Sequence, residues 1–172
     1  MDASEISVRP FNPSDAEDVL KWAGDDRVTQ YLRWSSLKTR EEALSFIERV
    51  AMPHPWRRSI CVNGRSVGYM SAKPGSGDDR CRAHISYALG VDHWGKGIVT
   101  EALRMAIPLV FKQFPYLYRI EALVDIDNKG SQTVLEKLGF VKEGLLRKYG
   151  FCKGQVRDFF IYSVLAADKV PV

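Results

Sequence analysis

The segment from Gly95 to Phe114 constrains the fold more than any other part of the chain. Gly95-Lys96-Gly97 leads into Ile98-Val99-Thr100-Glu101-Ala102-Leu103, and helical periodicity continues to about Phe114. A glycine loop therefore opens a long helix. The first turn of a helix carries unpaired N–H groups and the positive end of the dipole. Glycine lets those groups approach a ligand oxygen with no side chain in the way. The segment predicts a site for a phosphate or pyrophosphate, with Lys96 either an added cation or a solvated side chain. Taken alone, the loop also reads as a tight turn without a ligand. Two phosphate motifs are excluded. There is no Gly-x-x-x-x-Gly-Lys-Ser/Thr, and the Gly-x-Gly-x-x-Gly pattern fails because Thr100 stands in the last place. Pro108, inside the helix, should kink it or shorten its hydrogen-bond ladder.

The elements before the loop read as antiparallel. Trp56 to Val62 and Val67 to Ala72 flank Asn63-Gly64, a strong hairpin signal. After the loop Pro74-Gly75-Ser76-Gly77-Asp78-Asp79, the run Arg80 to Leu89 alternates as a third strand. Ile6 to Pro10 is a short first strand. Asn12-Pro13 starts a helix through Ala16, Val19, Leu20 and Trp22, ending near Gly24. Thr39 and Glu42 form a capping box for a helix with the stripe Ala43, Phe46, Ile47 and Val50. Beyond the glycine loop come a strand over 119–126 and a short helix over 128–138, stopped by Gly139. Two final strands, Phe140 to Leu146 and Val156 to Leu165, are joined by a loop holding Gly150 and Gly154. This order predicts an α+β layered fold: a mixed, mostly antiparallel central sheet of about seven strands, flanked by helices. With 172 residues and no linker, one domain over 1–172 is expected, its core about 6–166.

Composition narrows the class. The net charge of +4 is modest and no Lys/Arg run argues for nucleic acid as the main ligand. Cys61, Cys81 and Cys152 are odd in number, form no Cys-x-x-Cys pair and show no metal-ligand spacing with His54, His84 or His93, so reduced thiols and no metal are expected. No apolar stretch reaches signal-peptide or membrane-span length. A soluble, cytoplasmic protein without membrane partners follows as the expectation, monomer or homodimer, with no organelle assigned.

The segment His93 to Leu103 resembles the acetyl-coenzyme A loop of the GNAT acetyltransferase superfamily, Gln/Arg-x-x-Gly-x-Gly/Ala. Gly97 matches the central glycine, while Trp94 and Val99 depart from the flanking positions. The form W-G-K-G-I-x-T-E-A is typical of the branch of ribosomal-protein N-terminal (alanine/serine) acetyltransferases. A second block, Asn128 to Phe140, resembles that branch's N-x-x-S-x-x-V-L-E-K-x-G-F signature. The resemblance implies an acetyl-CoA-dependent N-acetyltransferase whose sheet splays in the middle, between the strand ending near Leu89 and the one beginning near Ile120. It implies that the pantetheine arm lies along Leu89, Gly90 and Val91, and that N–H groups of Gly95, Lys96, Gly97, Ile98, Val99 and Thr100 take the pyrophosphate. Asn128 would contact the cofactor and Ser131 would sit beside the sulfur. Helix capping is the competing role for both.

Acetyl transfer needs a neutral amine, a stabilised oxyanion and an accommodated thiolate. A terminal amine, with a pKa of about 7.7–8.0 against about 10.4 for lysine, needs the least help. His84 is one candidate base, Glu121 another, and a water chain a third. A backbone N–H near Val91 is the candidate oxyanion donor. Many superfamily members carry a tyrosine acid where this chain has Leu135. Ser131 is the alternative donor, or the thiolate leaves unassisted. Tyr31, Trp34 and Trp56 are candidate walls of the acceptor site, with core packing as the alternative. The acceptor is expected to be a protein or peptide N-terminus. A small amine (polyamine, amino acid or aminoglycoside) and a non-catalytic acetyl-CoA sensor are the alternatives. Nucleic acid would enter only through ribosomal proteins.

Overall fold

The structure, a computed structural model, describes residues 5–168. Seven strands form one sheet: β1 (Ile6–Arg9), β2 (Arg57–Val62), β3 (Arg65–Pro74), β4 (Arg82–Leu89), β5 (Arg119–Asp125), β6 (Val141–Cys152) and β7 (Gln155–Leu165). Their order is β1-β2-β3-β4-β5-β7-β6. The helices are α1 (Ala16–Ala23), α2 (Asp26–Thr29), α3 (Arg40–Phe46), α4 (Ile98–Gln113) and α5 (Lys129–Lys137). Among the described residues no helix is long and apolar enough to cross a membrane.

Strand alternation sends side chains to two cores. On one face Ile60, Met70, Ile85 and Ile120 pack against Ile98, Leu103 and Ile107 of α4 and Leu135 of α5. On the other face Tyr69 and Ala88 pack against Val19 and Trp22 of α1 and Phe46 of α3. Neighbours on β3 thus serve opposite cores, as Met70 and Tyr69 do.

All pairings are antiparallel except β4 with β5. That parallel ladder spans only Arg82–His84 against Arg119–Glu121. Beyond it, β4 continues to Leu89 on β3, and β5 continues to Asp125 on β7. The sheet opens into a V whose apex is the pair His84 and Glu121, in the position the resemblance implies.

Most local signals hold. Asn63 and Gly64 both take positive φ, 50° and 74°, as a two-residue hairpin turn requires. The Asn12 side chain accepts from the Ser14 N–H, and Asp15 answers to the Asn12 N–H and to Arg9. Three expectations are corrected. Thr39 caps α3 through the Glu42 N–H, but the Glu42 carboxylate bonds the Lys38 N–H, so the capping box is only half formed. A π-turn over Ile47–Ala51 follows, closed by Met52 N–H on the Ile47 carbonyl. The wider turn carries Val50 into solvent and buries Ala51 instead. Pro108 lies inside α4 on its exposed face, and the helix continues to Gln113. Finally, β6 does not stop at Leu146. It runs to Cys152, with Gly150 paired to Arg157, and the turn shrinks to Lys153-Gly154. A bulge between Leu146 and Gly150 breaks the alternation that would have marked the strand.

Gly68 sits where β3 crosses the end of β4. A Cβ there would lie 2.3 Å from the Ala88 carbonyl and 3.0 Å from the Leu89 Cα. Both are backbone and neither can swing aside. Gly68→Ala should lower the unfolding free energy by about 2 kcal/mol, read by urea denaturation. Gly144→Ala, with nothing within 4 Å, should cost less.

Candidate active site

The V has two flanks. On the β4 flank, a 3-10 turn over Val91–His93 leads to the glycine loop, where Gly95 and Gly97 take φ of 71° and 75°. These left-handed positions swing the chain so that α4 begins at the cleft. Gly95, Gly97, Ile98, Val99 and Thr100 line a cavity of about 650 Å³. The departure at Trp94 has a structural use. Its indole N–H donates to the Leu89 carbonyl at 2.7 Å and ties the loop to the end of β4.

Three of the residues expected at the cofactor are not among those lining this cavity. The Lys96 ammonium bends back to the Asp92 carbonyl, 2.7 Å away, and does not line the cavity. Gly90 and Val91 also do not line it. The Gly90 N–H is spent on the Val67 carbonyl, and Val91 packs toward the α1–α3 core. Only Leu89 of that trio faces the cleft.

On the β5 flank, buried Asp125 is gripped by Arg157 through Nε at 2.8 Å and Nη2 at 3.0 Å. It also accepts the Asp127 N–H. Burial opposes its ionisation, but these bonds outweigh burial and hold its pKa below the usual carboxylate range. The turn so fixed presents Asn128, whose Oδ1 caps α5 on the Ser131 N–H at 3.2 Å. Asn128 therefore both caps and lines the cleft. Above it, Tyr31 Oη donates to the Asp127 carbonyl at 3.3 Å.

The flanks meet where Tyr87 reaches Ser131. Tyr87 Oη of β4 and Ser131 Oγ of α5 are 2.6 Å apart. Burial raises the Tyr87 pKa, and the Ser131 bond only partly offsets this. Sequence reading missed Tyr87. The tyrosine absent at position 135 is matched by a phenol from the opposite flank, and only the closing of the V brings it to Ser131.

A second cavity of about 500 Å³ lies on the α1–α3 face of the sheet. It shares Tyr31, Leu32, Tyr87, Asn128 and Ser131 with the first, so the two are arms of one trough through the V. His84 lines the second arm. Burial lowers its pKa, Glu121 opposes this, and Arg33 adds to the lowering. The balance favours the neutral imidazole. Glu121 is corrected as a base: its oxygens face Arg119 Nε at 2.9 Å and Arg82 Nε at 3.5 Å, and it lines neither arm. Trp34 does line this second arm, against Phe46 and Tyr69. Trp56 does not. It is 3% exposed in the α4 core, with the Arg58 guanidinium over its ring. Its neighbour Arg57 has the opposite parity and enters the second arm in its place.

Comparison with known proteins agrees with this geometry. The family model described as acetyltransferase (GNAT) domain matches residues 5–141. The chain belongs to the GNAT acetyltransferase family. It is 32% identical over 174 residues to a probable N-acetyltransferase, YjcK, of Bacillus subtilis, covering 95% of each chain. The solved structure of Mycobacterium smegmatis RimJ in complex with CoA-disulfide superposes with a TM-score of 0.80 at 26% identity, over 94% of this chain and 82% of that one. Matches over about half the chain reach two Escherichia coli enzymes. These are the ribosomal protein uS5-alanine N-acetyltransferase, 34% over 88 residues (51% of this chain, 45% of that one), and spermidine N(1)-acetyltransferase, 32% over 95 residues (52% and 50%).

This GNAT enzyme is an acetyl-CoA-dependent N-acetyltransferase. Its cleft fits the cosubstrate: the start of α4 offers unpaired N–H groups to a pyrophosphate, and β4 past His84 offers an unpaired edge to the pantetheine amides. Gly97→Glu sets a side chain and a negative charge at that anion site. CoA affinity should fall by roughly 100-fold or more, about 2.7 kcal/mol, measured by calorimetry. The fold should survive a left-handed strain of about 1–2 kcal/mol, checked by circular dichroism, because nothing lies within 4 Å of the added Cβ.

Proposed function

We propose that this enzyme acetylates a primary amine at a protein or peptide N-terminus, by direct attack in a ternary complex within a single domain. The observation that carries the reading is the trough itself. One arm ends on the α4 anion site, the other is an open groove on the sheet, and they join at Tyr87, Ser131 and Asn128, with His84 lining the open groove. An open arm admits an extended chain end. Small polycations are disfavoured, because the one carboxylate among the described residues lining that arm, Asp125, is already paired with Arg157. Of the two acceptor types named among the relatives, a ribosomal-protein alanine and spermidine, the geometry sides with the first.

Acetyl-CoA supplies the activated acyl group. The chain's own residues do the rest. The two arms hold amine and thioester together, which supplies much of the acceleration. His84 receives the proton the amine sheds as its nitrogen bonds to the acetyl carbon. As the carbon–sulfur bond breaks, Ser131 offers a hydrogen bond to the departing sulfur, with Tyr87 behind it. A thiol has a pKa of about 8.5, so a phenol raised above its ordinary value stays protonated and acts as a hydrogen-bond donor in that pair.

A base works deprotonated. The lowered His84 pKa therefore keeps it competent down to below about pH 6.5. In His84→Ala, kcat should fall by about 100-fold. The acid limb of the pH–rate profile should move up toward the acceptor amine's own range, about 7.7–8.0. An unchanged profile rejects the role. Tyr87→Phe should lower kcat by about tenfold, the worth of one hydrogen bond, with the KM for acetyl-CoA little changed. A loss confined to KM would assign Tyr87 to cosubstrate binding instead. Thiol release with a panel of peptide amines, amino acids and polyamines tests the acceptor class directly.

A further inference from the structure

The geometry points to an acceptor that carries a negative charge close to its reactive amine, held by Arg57 and Arg33. This rests on the acetyltransferase reading above and deepens it. The peptide it describes has an acidic side chain at the second or third residue.

Arg57 shares a sheet face with the acceptor arm. It stands in register with Ser71 of β3, which stands in register with Ser86 of β4. Its guanidinium lies over the rings of Tyr69, at 5.2 Å, and Phe46, at 5.8 Å. Its Nε is buried and has no hydrogen-bond partner. Among the described residues no carboxylate pairs with it, whereas Arg9, Arg82, Arg119 and Arg157 each hold one. Burial accordingly disfavours its charge with no anion to compensate. A half-buried cation gains from a nearby anion, and an unsatisfied buried donor is expensive. Stacking on two aromatic faces accounts for its place, but leaves the Nε–H without a partner in a residue that lines the groove.

Arg33 lines the same arm from the loop after α2, close to Gly150 of β6. No carboxylate among the described residues pairs with it either. Among the described residues Asp125 is the only acidic side chain lining the arm, and Arg157 neutralises it. The arm is therefore positive, with two unmatched guanidinium groups. Guanidinium suits carboxylate through paired, parallel hydrogen bonds.

The spacing sets where the anion sits. Two strand separations, about 10 Å, divide Arg57 from the β4 row that bears His84 and Ser86. An extended peptide advances about 3.4 Å per residue. An amine at His84 thus places the side chain of residue two or three within reach of a guanidinium.

The test uses the full chain, acetyl-CoA and peptides ending in an amide, so that no terminal carboxylate interferes. Ala-Glu-Ala-amide, Ala-Ala-Glu-amide and their Gln and Lys counterparts are compared by thiol release, with free alanine and spermidine alongside. The better Glu peptide should exceed its Gln counterpart at least tenfold in kcat/KM, mostly through KM, and the Lys peptide should be poorest. The margin should shrink as salt rises. In Arg57→Gln the Glu-to-Gln ratio should fall toward one, while Arg57→Lys keeps part of it. Arg33→Gln tests the second guanidinium, away from the core, should Arg57→Gln fail to fold. Calorimetry of the same peptides on the CoA-loaded enzyme reads the preference without turnover. Equal use or binding of Glu and Gln peptides overturns the inference while leaving the transferase intact. So does a ratio unchanged in Arg57→Gln and Arg33→Gln. Free alanine surpassing every peptide, in an Arg57-dependent way, would keep the carboxylate contact and overturn the peptide reading. Spermidine as the best acceptor would overturn both.

Discussion

The parallel ladder between β4 and β5, and the point at which it ends, govern the rest of the structure. Three residue pairs hold the strands together, from Arg82 with Arg119 to His84 with Glu121. Past that point each strand stays with its antiparallel partner and the two separate. An unpaired strand edge inside a protein is costly unless something meets its amides. Here the opening is kept by fixed walls. Trp94 ties the loop to Leu89, Gly68 allows β3 to lie tightly under the end of β4, and Arg157 clamps Asp125 at the end of β5. The Tyr87–Ser131 bond spans the gap where the two arms meet. A ligand edge that can complete the ladder is what such an opening suits.

Charge is distributed to match. Near the apex, Arg119 bridges Glu121 and Glu143. Its hydrogen bonds, with one from Ser163, hold the Glu143 carboxyl down to about 2. Asp125 is matched by Arg157 and Asp15 by Arg9. The acids near the trough are thus consumed within the protein, and the acceptor arm keeps arginines without acids. His84 sits between these zones, with Glu121 favouring its charge and Arg33 and burial opposing it. Desolvation is the larger effect, so the balance favours the neutral imidazole next to the meeting point of the arms.

Features set by local chemistry could be read before the fold was known. Asn63-Gly64 makes a hairpin because both residues tolerate positive φ. Gly95 and Gly97 bring the start of α4 to the cleft for the same reason. Asn128 caps its helix by side-chain geometry alone. Misreadings occurred where parity or long-range pairing decides. Trp56 and Arg57 differ by one position and face opposite sides of the sheet, so the obvious aromatic was buried and the overlooked arginine lines the groove. Glu121 sits beside His84 as a base would, yet two arginines from other positions occupy it. Lys96 lies in the loop but bonds backward to Asp92. The bulge in β6 hid a strand by breaking its alternation.

By itself, then, the sequence determined the strand and helix order, the glycine loop at the start of α4, and the two family blocks. Each depends on residues close together in the chain. Tertiary structure alone decided that Tyr87 reaches Ser131, that His84 stands at the apex between Glu121 and Arg33, and that Arg57 is left without a carboxylate. Those outcomes depend on which strand lies beside which, and on how much solvent is removed. Neither is encoded within any short stretch of the chain.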